Sequence, residues 1–517
     1  MEIELKLALP PRQAAHIRRH ALLQASKPIK RMLHSIYFDI PEFDLMQRGI
    51  ALRVRRIGFH WVQTLKAEAR AVGAMSSRPE WEMAVAGGAS PDFAVLPEAA
   101  LDLLKGLDLT RIRPAFVTEF QRTAWQLVDG ENQAELALDI GKIQAGEASQ
   151  PISEVEIELK AGTPGFLFDL AVQLLEAASL QIEPRSKAER GYALCGATTP
   201  VPHKSVQPHI HPKQTAEQVW HALMQAALMQ LVANVPGFLE RAQDIEYLHQ
   251  LRIALRRLRT GVALAKGSPS KGSPSKGSPS GQLAPPDSSA LRATMRELNP
   301  ARDWDVFLRE TLPKTLAALG ETPAAHDVQI TPDDVFALFH EYAAEERQRA
   351  QAWIRSPEFT RMVLDLGRSL LPPDETTNHG GAKETHARNW AAGILEKRWL
   401  TLRKRCRRFA RLTPEERHMA RIAAKKLRYA ADAFAPLFGK RGARFVAALA
   451  DLQSALGRAN DAQVGIRLLN TLPKKNIALS FDLGRIDGAL QVEAARHGTI
   501  SAAIWLRLTQ SRLFWRE

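Results

Sequence analysis

Met1-Glu2-Ile3-Glu4-Leu5-Lys6-Leu7 opens the chain, and its alternation decides how the residues up to about 200 fold. Read with a period of two, Glu2, Glu4 and Lys6 fall on one face of a strand and Ile3, Leu5 and Leu7 on the other. The same pentapeptide returns as Glu156-Ile157-Glu158-Leu159-Lys160, extended upstream by Glu154 and Val155. Between the copies, Leu52-Arg53-Val54-Arg55 and Glu80-Trp81-Glu82-Met83 keep the same beat. An ordinary half-exposed strand carries mixed polar residues on its wet face. Here each polar face is a tight row of formal charge, acidic on some strands and basic on others. If these strands share one sheet and it closes, acids and bases meet inside and the apolar sides face outward. Such a lumen suits a metal-bound polyanion, because carboxylates hold metals and bases hold phosphates. The bland alternative is a solvated salt-bridge ladder, and an ordinary surface has little reason to repeat a pentapeptide.

The chain has 517 residues, too many for one core, and predicts two or three domains. Its composition is globular, with 45% hydrophobic and 24% charged residues. No run of about 18 apolar residues occurs, so no membrane-spanning helix is expected. Acids inside the first strand argue against a secretory signal. Cys195 and Cys406 are too few and too isolated for a disulfide framework or a zinc site, and fit a reducing cytoplasm. The net charge of +14 is uneven: residues 1–200 hold 23 Lys+Arg against 25 Asp+Glu, and residues 201–517 hold 47 against 31. The basic half calls for a polyanionic partner.

Residues 1–195 read as short strands with a few helices. Strands are expected over Ser35–Ile40, Ile50–Arg56, Trp61–Lys66, Arg78–Val85, Ala115–Val128, Glu135–Ile140 and Ser153–Lys160, and helices over Pro10–Gln24 and Pro164–Leu180. Several motifs follow one another in order: Glu2-x-Glu4-x-Lys6, Arg53-x-Arg55, Thr64-Leu65-Lys66, Glu80-x-Glu82, Leu138-Asp139-x-Gly141, Glu154-x-Glu156-x-Glu158 and Ser186-Lys187-x-x-Arg190-Gly191. This series resembles the CYTH, or triphosphate tunnel metalloenzyme, family. The resemblance implies an eight-stranded antiparallel β tunnel that hydrolyses triphosphate compounds with Mg2+ or Mn2+. Carried over, it places Lys6, Arg53, Arg55, Lys66, Arg122, Lys187 and Arg190 on the phosphate chain. It places Glu2, Glu4, Glu80, Glu82, Asp139, Glu156 and Glu158 on one or two metal ions, and makes Glu2, Glu4, Lys6 and Lys66 the catalytic core. Tyr37 and Trp81 read as packing residues, and no Gly-rich P-loop appears.

A second internal repeat lies in the basic half. His249-Gln-Leu-Arg252-Ile-Ala-Leu-Arg256-Arg257-Leu-Arg259 matches His418-Met-Ala-Arg421-Ile-Ala-Ala-Lys425-Lys426-Leu-Arg428. Downstream, Leu298-Asn-Pro-Ala-Arg302-Asp303 and Leu456-Gly-Arg458-Ala-Asn-Asp461 read as related helix starts. Two helical halves of a pseudo-symmetric bundle are the natural reading. Offsets of 0, 3, 7 and 10 put His249, Arg252, Arg256 and Arg259 on one helix face, and His418, Arg421, Lys425 and Arg428 on the other copy's. Stacked like charges repel, yet neither stretch contains an acid. Further basic candidates are Arg302, Arg458 and the run Arg403-Lys404-Arg405-Cys406-Arg407-Arg408. The arrangement resembles the CHAD domain, a family associated with binding inorganic polyphosphate.

The expected architecture is therefore α+β: a tunnel domain over 1–199, a proline-rich linker over 200–214 and an all-α bundle over 215–517. The Lys266-Gly-Ser-Pro-Ser repeat, running to Ser280, is expected to be a spacer loop, and Pro372–Lys383 the loop between the helical halves. The implied activity is hydrolysis of inorganic tripolyphosphate to pyrophosphate and phosphate, with long-chain polyphosphate as partner of the bundle, in the cytoplasm or at polyphosphate granules. The alternatives are a tunnel enzyme acting on a nucleotide or other organic triphosphate, and a non-catalytic polyphosphate-binding protein. Nucleic-acid binding is disfavoured, since stacking would want aromatics among the bases and only Tyr429 adjoins them.

Overall fold

A computed structural model describes residues 2–67, 70–86, 88–241, 243–265, 287–320, 332–371, 386–472 and 477–516. The Lys266-Gly-Ser-Pro-Ser repeat and the segment 372–383 lie outside these residues, as does the side chain of Arg458. The chain forms two compact units: Met1–Lys204 with Leu228–Arg241 and Trp353–Asn378, and Ser205–Ala227 with Ala242–Ala352 and His379–Glu517.

The first unit is built on one antiparallel sheet. Its strands are β1 (Glu2–Ala8), β2 (Ile29–Asp39), β3 (Ala51–Ile57), β4 (His60–Lys66), β5 (Arg70–Val72), β6 (Met75–Arg78), β7 (Glu80–Val85), β8 (Arg113–Asp129), β9 (Asn132–Ala145), β10 (Ala148–Ala161) and β11 (Gln181–Ile182). They follow the order β5-β6-β1-β10-β9-β8-β2-β3-β4-β7, with the two-residue β11 also on β1. Setting aside the three-residue β5, the path runs from β6 to β7, which are consecutive in the chain and separated only by Pro79. Proline has no N–H to give to a ladder. The segment changes partner there, pairing Glu2 with Arg78 on one side and Lys66 with Glu80 on the other. Counted once, it makes eight long strands around a ring, with β5 and β11 as short additions.

The register lines the charged rows up. Glu4 faces Glu158, which faces Glu135; Lys6 faces Glu156; Glu154 faces Asp139, which faces Arg122. The opposite faces carry the apolar residues, such as Leu5, Leu7, Val155 and Ile157, all fully buried. The alternation gives each strand an apolar outer face of Leu, Val and Ile and an ionic inner one. One helix against this exterior is Gly165–Leu174, shorter than expected, with Phe166, Leu167, Phe168, Leu170, Ala171 and Leu174 buried. The helix Pro357–Ser369 packs on it: Gly367 lies so close to the Phe168 ring that a Cβ would approach to 2.6 Å. Arg368 pairs with Asp169 at 2.6 Å. Apolar complementarity thus brings a segment of the helical half into the tunnel unit. The expected helix Pro10–Gln24 is broken into Ala14–Arg18 between two 3₁₀ turns, the second capped by the His20 ring, which accepts from the Leu22 N–H.

The second unit is helical, its only strand-like feature among the described residues being an isolated bridge between Thr215 and His386. One core gathers Trp304, Phe307, Phe339 and Leu490. The two copies of the repeat fall on the helices Ile245–Ala265 and Pro414–Phe434. The downstream motifs are not helix starts: Arg302-Asp303 lies late in the helix Ser288–Val306, and Asn460-Asp461 in mid-helix in Ala443–Thr471. Against expectation, one stretch, Ala216–Glu240, is long and apolar enough to cross a membrane, with a mean hydropathy of 1.4. Of its most apolar window 61% is buried within the protein, and the helix is broken at Asn234. Glu217, His221, Gln225 and Gln230 interrupt the run and hid it from a reading by uninterrupted apolar residues.

Gly141 on β9 has no room for a side chain: a Cβ would lie 2.1 Å from the Glu119 carbonyl oxygen and 2.4 Å from the Phe120 Cα. Because the obstacle is backbone, Gly141→Ala is expected to cost about 3 kcal/mol and to lower the thermal midpoint by several degrees. A calorimetric scan matching that of the wild type would refute the close approach.

Candidate active site in the tunnel

The ring encloses a cavity of about 420 Å³. Acids reach it from β1 (Glu2, Glu4), β7 (Glu80, Glu82), β9 (Glu135) and β10 (Glu156, Glu158). Cations reach it from β1 (Lys6), β3 (Arg53, Arg55), β4 (Lys66), β6 (Arg78), β8 (Arg122) and the helix Lys187–Leu194 (Lys187). That helix begins in a complete capping box: the Ser186 side chain accepts from the Glu189 N–H, and Glu189 answers to the Ser186 N–H. The box fixes the first turn and so aims Lys187 and Arg190, while Gly191 lets the helix lie against Phe116, whose ring is 2.1 Å from where a Cβ would stand. The last of the motifs is therefore a device for seating two cations.

Most of these charges meet within the tunnel. Lys66 Nζ lies 2.7 Å from Glu2 and 3.3 Å from Glu80. Arg78 spans Glu2 at 3.0 Å and Glu4 at 2.7 Å. Arg122 pairs with Asp139 at 2.7 Å and also with Glu156. Lys187 Nζ sits 2.7 Å from Asp139, 2.5 Å from Glu154 and 2.8 Å from Glu156. Burial opposes it, but the charges of Lys187 and Arg122 hold Glu156 well below the usual carboxylate range. Burial would likewise lower Lys187, and Asp139, Glu154 and Glu156 raise it instead.

Two cations stand apart. Lys6, 6% exposed, donates to the Arg185 carbonyl oxygen, and Arg55, 9% exposed, donates to Ser35 Oγ at 2.9 Å. Among the described residues neither is ion-paired with a carboxylate. Burial first, then the like charges of Arg53 and Arg122, push Arg55 down to about 9. Arg55, Arg122 and Lys187 all face the ring of the fully buried Phe120, at 5.8, 5.8 and 4.9 Å from its centre. A buried cation without a counter-ion is costly, and the aromatic face offsets only part of that cost.

Three carboxylates among the described residues bring oxygens within 4.8 Å of one another, Asp139, Glu154 and Glu156. This buried acidic cluster closes around Lys187 Nζ, so the ammonium already meets its charge. Asp139 and Glu154 are fully buried behind the cavity rather than on its wall, and Arg190 is beside them, 2.8 Å from Glu154. The wall itself offers hard carboxylate oxygens from Glu2, Glu4, Glu80, Glu82 and Glu158, the donor type that Mg2+ and Mn2+ take. Burial, and then Glu2 and Glu135, push Glu158 upward against the pull of Lys160. Sequence reading missed Arg78, Glu135 and Lys160 on the wall. Tyr37 packs as read, stacked on Phe116 at 4.5 Å in a buried cluster, and it borders the cavity as well. Only the register brings Glu135 opposite Glu158, but the parity of Arg78 with Glu80 and Glu82 was a usable signal.

In the helical unit the two repeat copies gather part of their charge. Arg256 lies over the Tyr429 ring at 5.8 Å. Arg421 donates to Asn460 at 3.0 Å. Burial lowers Lys425 to about 7, helped by the charges of Arg421, Arg256 and Arg252. Burial also lowers Arg252 to about 10, with Asp303 opposing and Arg256 adding to the shift. His249 is pushed down by burial and by Arg302. The acids missing from both repeats are supplied by the downstream motifs, Asp303 beside Arg252 and Asp461 beside Arg421. Arg428 turns to Asp432 at 3.5 Å. Arg259, His418 and the run from Arg403 to Arg408 are exposed, apart from the buried Cys406.

A CYTH domain model matches residues 1–192 and a CHAD domain model residues 222–470. An inorganic triphosphatase of Haemophilus influenzae is 34% identical over 194 residues, which are 37% of this chain and 54% of that protein. The chain thus spans about half the length of this curated relative. The CHAD domain from the plant Ricinus communis is similar at 26% identity and a TM-score of 0.49, covering 60% of this chain and 98% of that one. A putative adenylyl cyclase from Hippeastrum, described as revealing a dominant triphosphatase activity, is 19% identical at a TM-score of 0.28, covering 40% of this chain and 100% of that one. The two matched segments follow one another without overlap, a CYTH domain followed by a CHAD domain.

Proposed function

We propose that the tunnel hydrolyses inorganic triphosphate to pyrophosphate and orthophosphate, and that the helical domain holds long-chain polyphosphate. The observation that carries the first reading is the pair of buried cations, Lys6 and Arg55, which face a cavity without a carboxylate of their own. A phosphate chain supplies the missing anion. Arg53, Lys66 and Arg122 join them on the phosphates, with the Arg guanidinium groups suited to two oxygens at once and the Lys ammonium groups acting as point charges. Lys187 touches the chain from beside its carboxylate cage. Glu156 on the wall, with Asp139 and Glu154 behind it, holds Arg122 and Lys187 in place, and Arg190 pairs with Glu154. Glu2, Glu4, Glu80, Glu82 and Glu158 would hold Mg2+ or Mn2+, which when bound would withdraw charge from phosphate oxygens and acidify a water. Water attacks the terminal phosphorus, the bridging P–O bond breaks, and Lys66 and Arg53 offset the charge that grows on the departing pyrophosphate. The relative named an inorganic triphosphatase supports this reaction class. Polyphosphate as the second ligand fits a cytoplasmic protein found at polyphosphate granules.

Lys66→Ala is expected to lower kcat for tripolyphosphate by about 100-fold, the scale for removing one preorganised charge from a transition state. Glu4→Gln is expected to abolish metal-dependent phosphate release while the full chain still binds polyphosphate. Phosphate release surviving in Glu4→Gln would remove Glu4 from the metal set.

For the helical domain the test is pH. Free Lys425 loses its proton as pH rises through about 7, and a bound polyanion raises its pKa, so binding above that pH takes up a proton. Polyphosphate affinity should therefore fall by up to about tenfold per unit between pH 7 and 8.5. Lys425→Arg, which keeps its charge throughout that range, should flatten the profile measured by calorimetry. A flat wild-type profile would exclude Lys425 as a phosphate contact.

A further inference from the structure

Lys6 is aimed by a backbone atom, and that atom is held by the second half of the chain. The Lys6 ammonium donates to the carbonyl oxygen of Arg185. Arg185 lies in the short run between β11 and the capped helix Lys187–Leu194. Its guanidinium is gripped from two sides. Nε lies 2.9 Å and Nη2 2.7 Å from the two oxygens of Glu183. Nη1 lies 3.0 Å and Nη2 2.5 Å from the two oxygens of Glu240. Glu240 ends the helix Val235–Glu240, inside the segment matched as CHAD yet within the same compact unit as the tunnel. A second tie lies just before β11, where Thr360 Oγ1 donates to the Leu180 carbonyl oxygen at 2.8 Å. Thr360 too belongs to the CHAD match and to the tunnel unit.

A lysine stem has four rotatable carbons, and its freedom is lost when it grips a ligand. A carbonyl held rigidly lets the protein meet that loss before the ligand arrives. We propose that Glu240 is a positioning residue for the tunnel: by clamping Arg185 it fixes the carbonyl that points Lys6 at the phosphate site. A helix encoded with the CHAD half then sets the affinity of the CYTH half for its triphosphate. The proposal rests on the reading of the tunnel as a triphosphatase. It differs from that reading in assigning affinity to a side chain outside the tunnel wall.

The test uses full-length protein with Glu240→Ala, Glu240→Gln, Lys6→Ala and the double variant Lys6→Ala with Glu240→Ala. Glu240→Ala should raise KM for tripolyphosphate about fivefold, about 1 kcal/mol at 298 K, and leave kcat near the wild-type value. Glu240→Gln, which keeps one acceptor oxygen of the two and loses the charge, should fall between the two. In the Lys6→Ala background the change at Glu240 should have no further effect on KM. An unchanged KM, or the same loss repeated without Lys6, overturns the proposal. Amide hydrogen exchange over residues 183–187, read without substrate, separates this inference from the functional reading. Unchanged exchange in Glu240→Ala overturns the clamp, whatever the wild type does to tripolyphosphate. Faster exchange beside a wild type that does not turn over tripolyphosphate removes the triphosphatase reading and leaves the clamp standing.

Discussion

A charge taken out of water must be met by an opposite one, and the tunnel is arranged around that requirement. Removing one partner from a buried pair costs about 3–5 kcal/mol, because the survivor is left in a low dielectric. The interior obeys this almost everywhere: Arg78 bridges two glutamates, Arg122 holds Asp139 and Glu156, and Lys187 fills a cage of three carboxylates. Outer residues such as Leu5, Leu7, Val155 and Ile157 provide the apolar burial that stabilises a ring with so little hydrophobic lining. Among the described residues the exceptions to pairing are Lys6 and Arg55, and the proposed phosphate site rests on them.

Alternation made the ring legible from the chain alone. Glu2, Glu4, Lys6, Arg53, Arg55, Glu80, Glu82, Glu156 and Glu158 were found by counting in twos and Lys66 by its Thr64-Leu65-Lys66 motif, and all ten line one cavity. What alternation cannot supply is register. Asp139 keeps the right parity but lies one row too deep, opposite Glu154, so it is sealed behind Lys187 rather than presented to the lumen. Glu135 enters only because β9 pairs with β10 such that it faces Glu158. Nor could local sequence reveal that 228–241 and 353–371 pack with the tunnel, since that depends on contacts such as Gly367 on Phe168 between residues far apart in the chain.

The helical repeats show the same rule with a different solution. Two eleven-residue stretches without an acid looked like uncompensated basic faces. Each is compensated in part by an aspartate from the next helix, Asp303 for the first copy and Asp461 for the second. The pairs are partial: burial still raises both aspartates and lowers Lys425 to about 7. The repeat of the downstream motif, visible in sequence, was thus the second half of a charge pair rather than the beginning of a helix.

At Pro79 the sheet passes from one neighbour to another without a ladder across the junction, apart from a single bond from the Ala67 N–H to the Pro79 carbonyl at 3.2 Å. Side chains stitch this seam, with Lys66 on β4 reaching to Glu2 on β1 and Arg78 joining Glu2 to Glu4. The same lysine and arginine face the lumen. An anion that enters competes with Glu2 for the cations that stitch the wall, so loading the channel and loosening its suture are one electrostatic exchange.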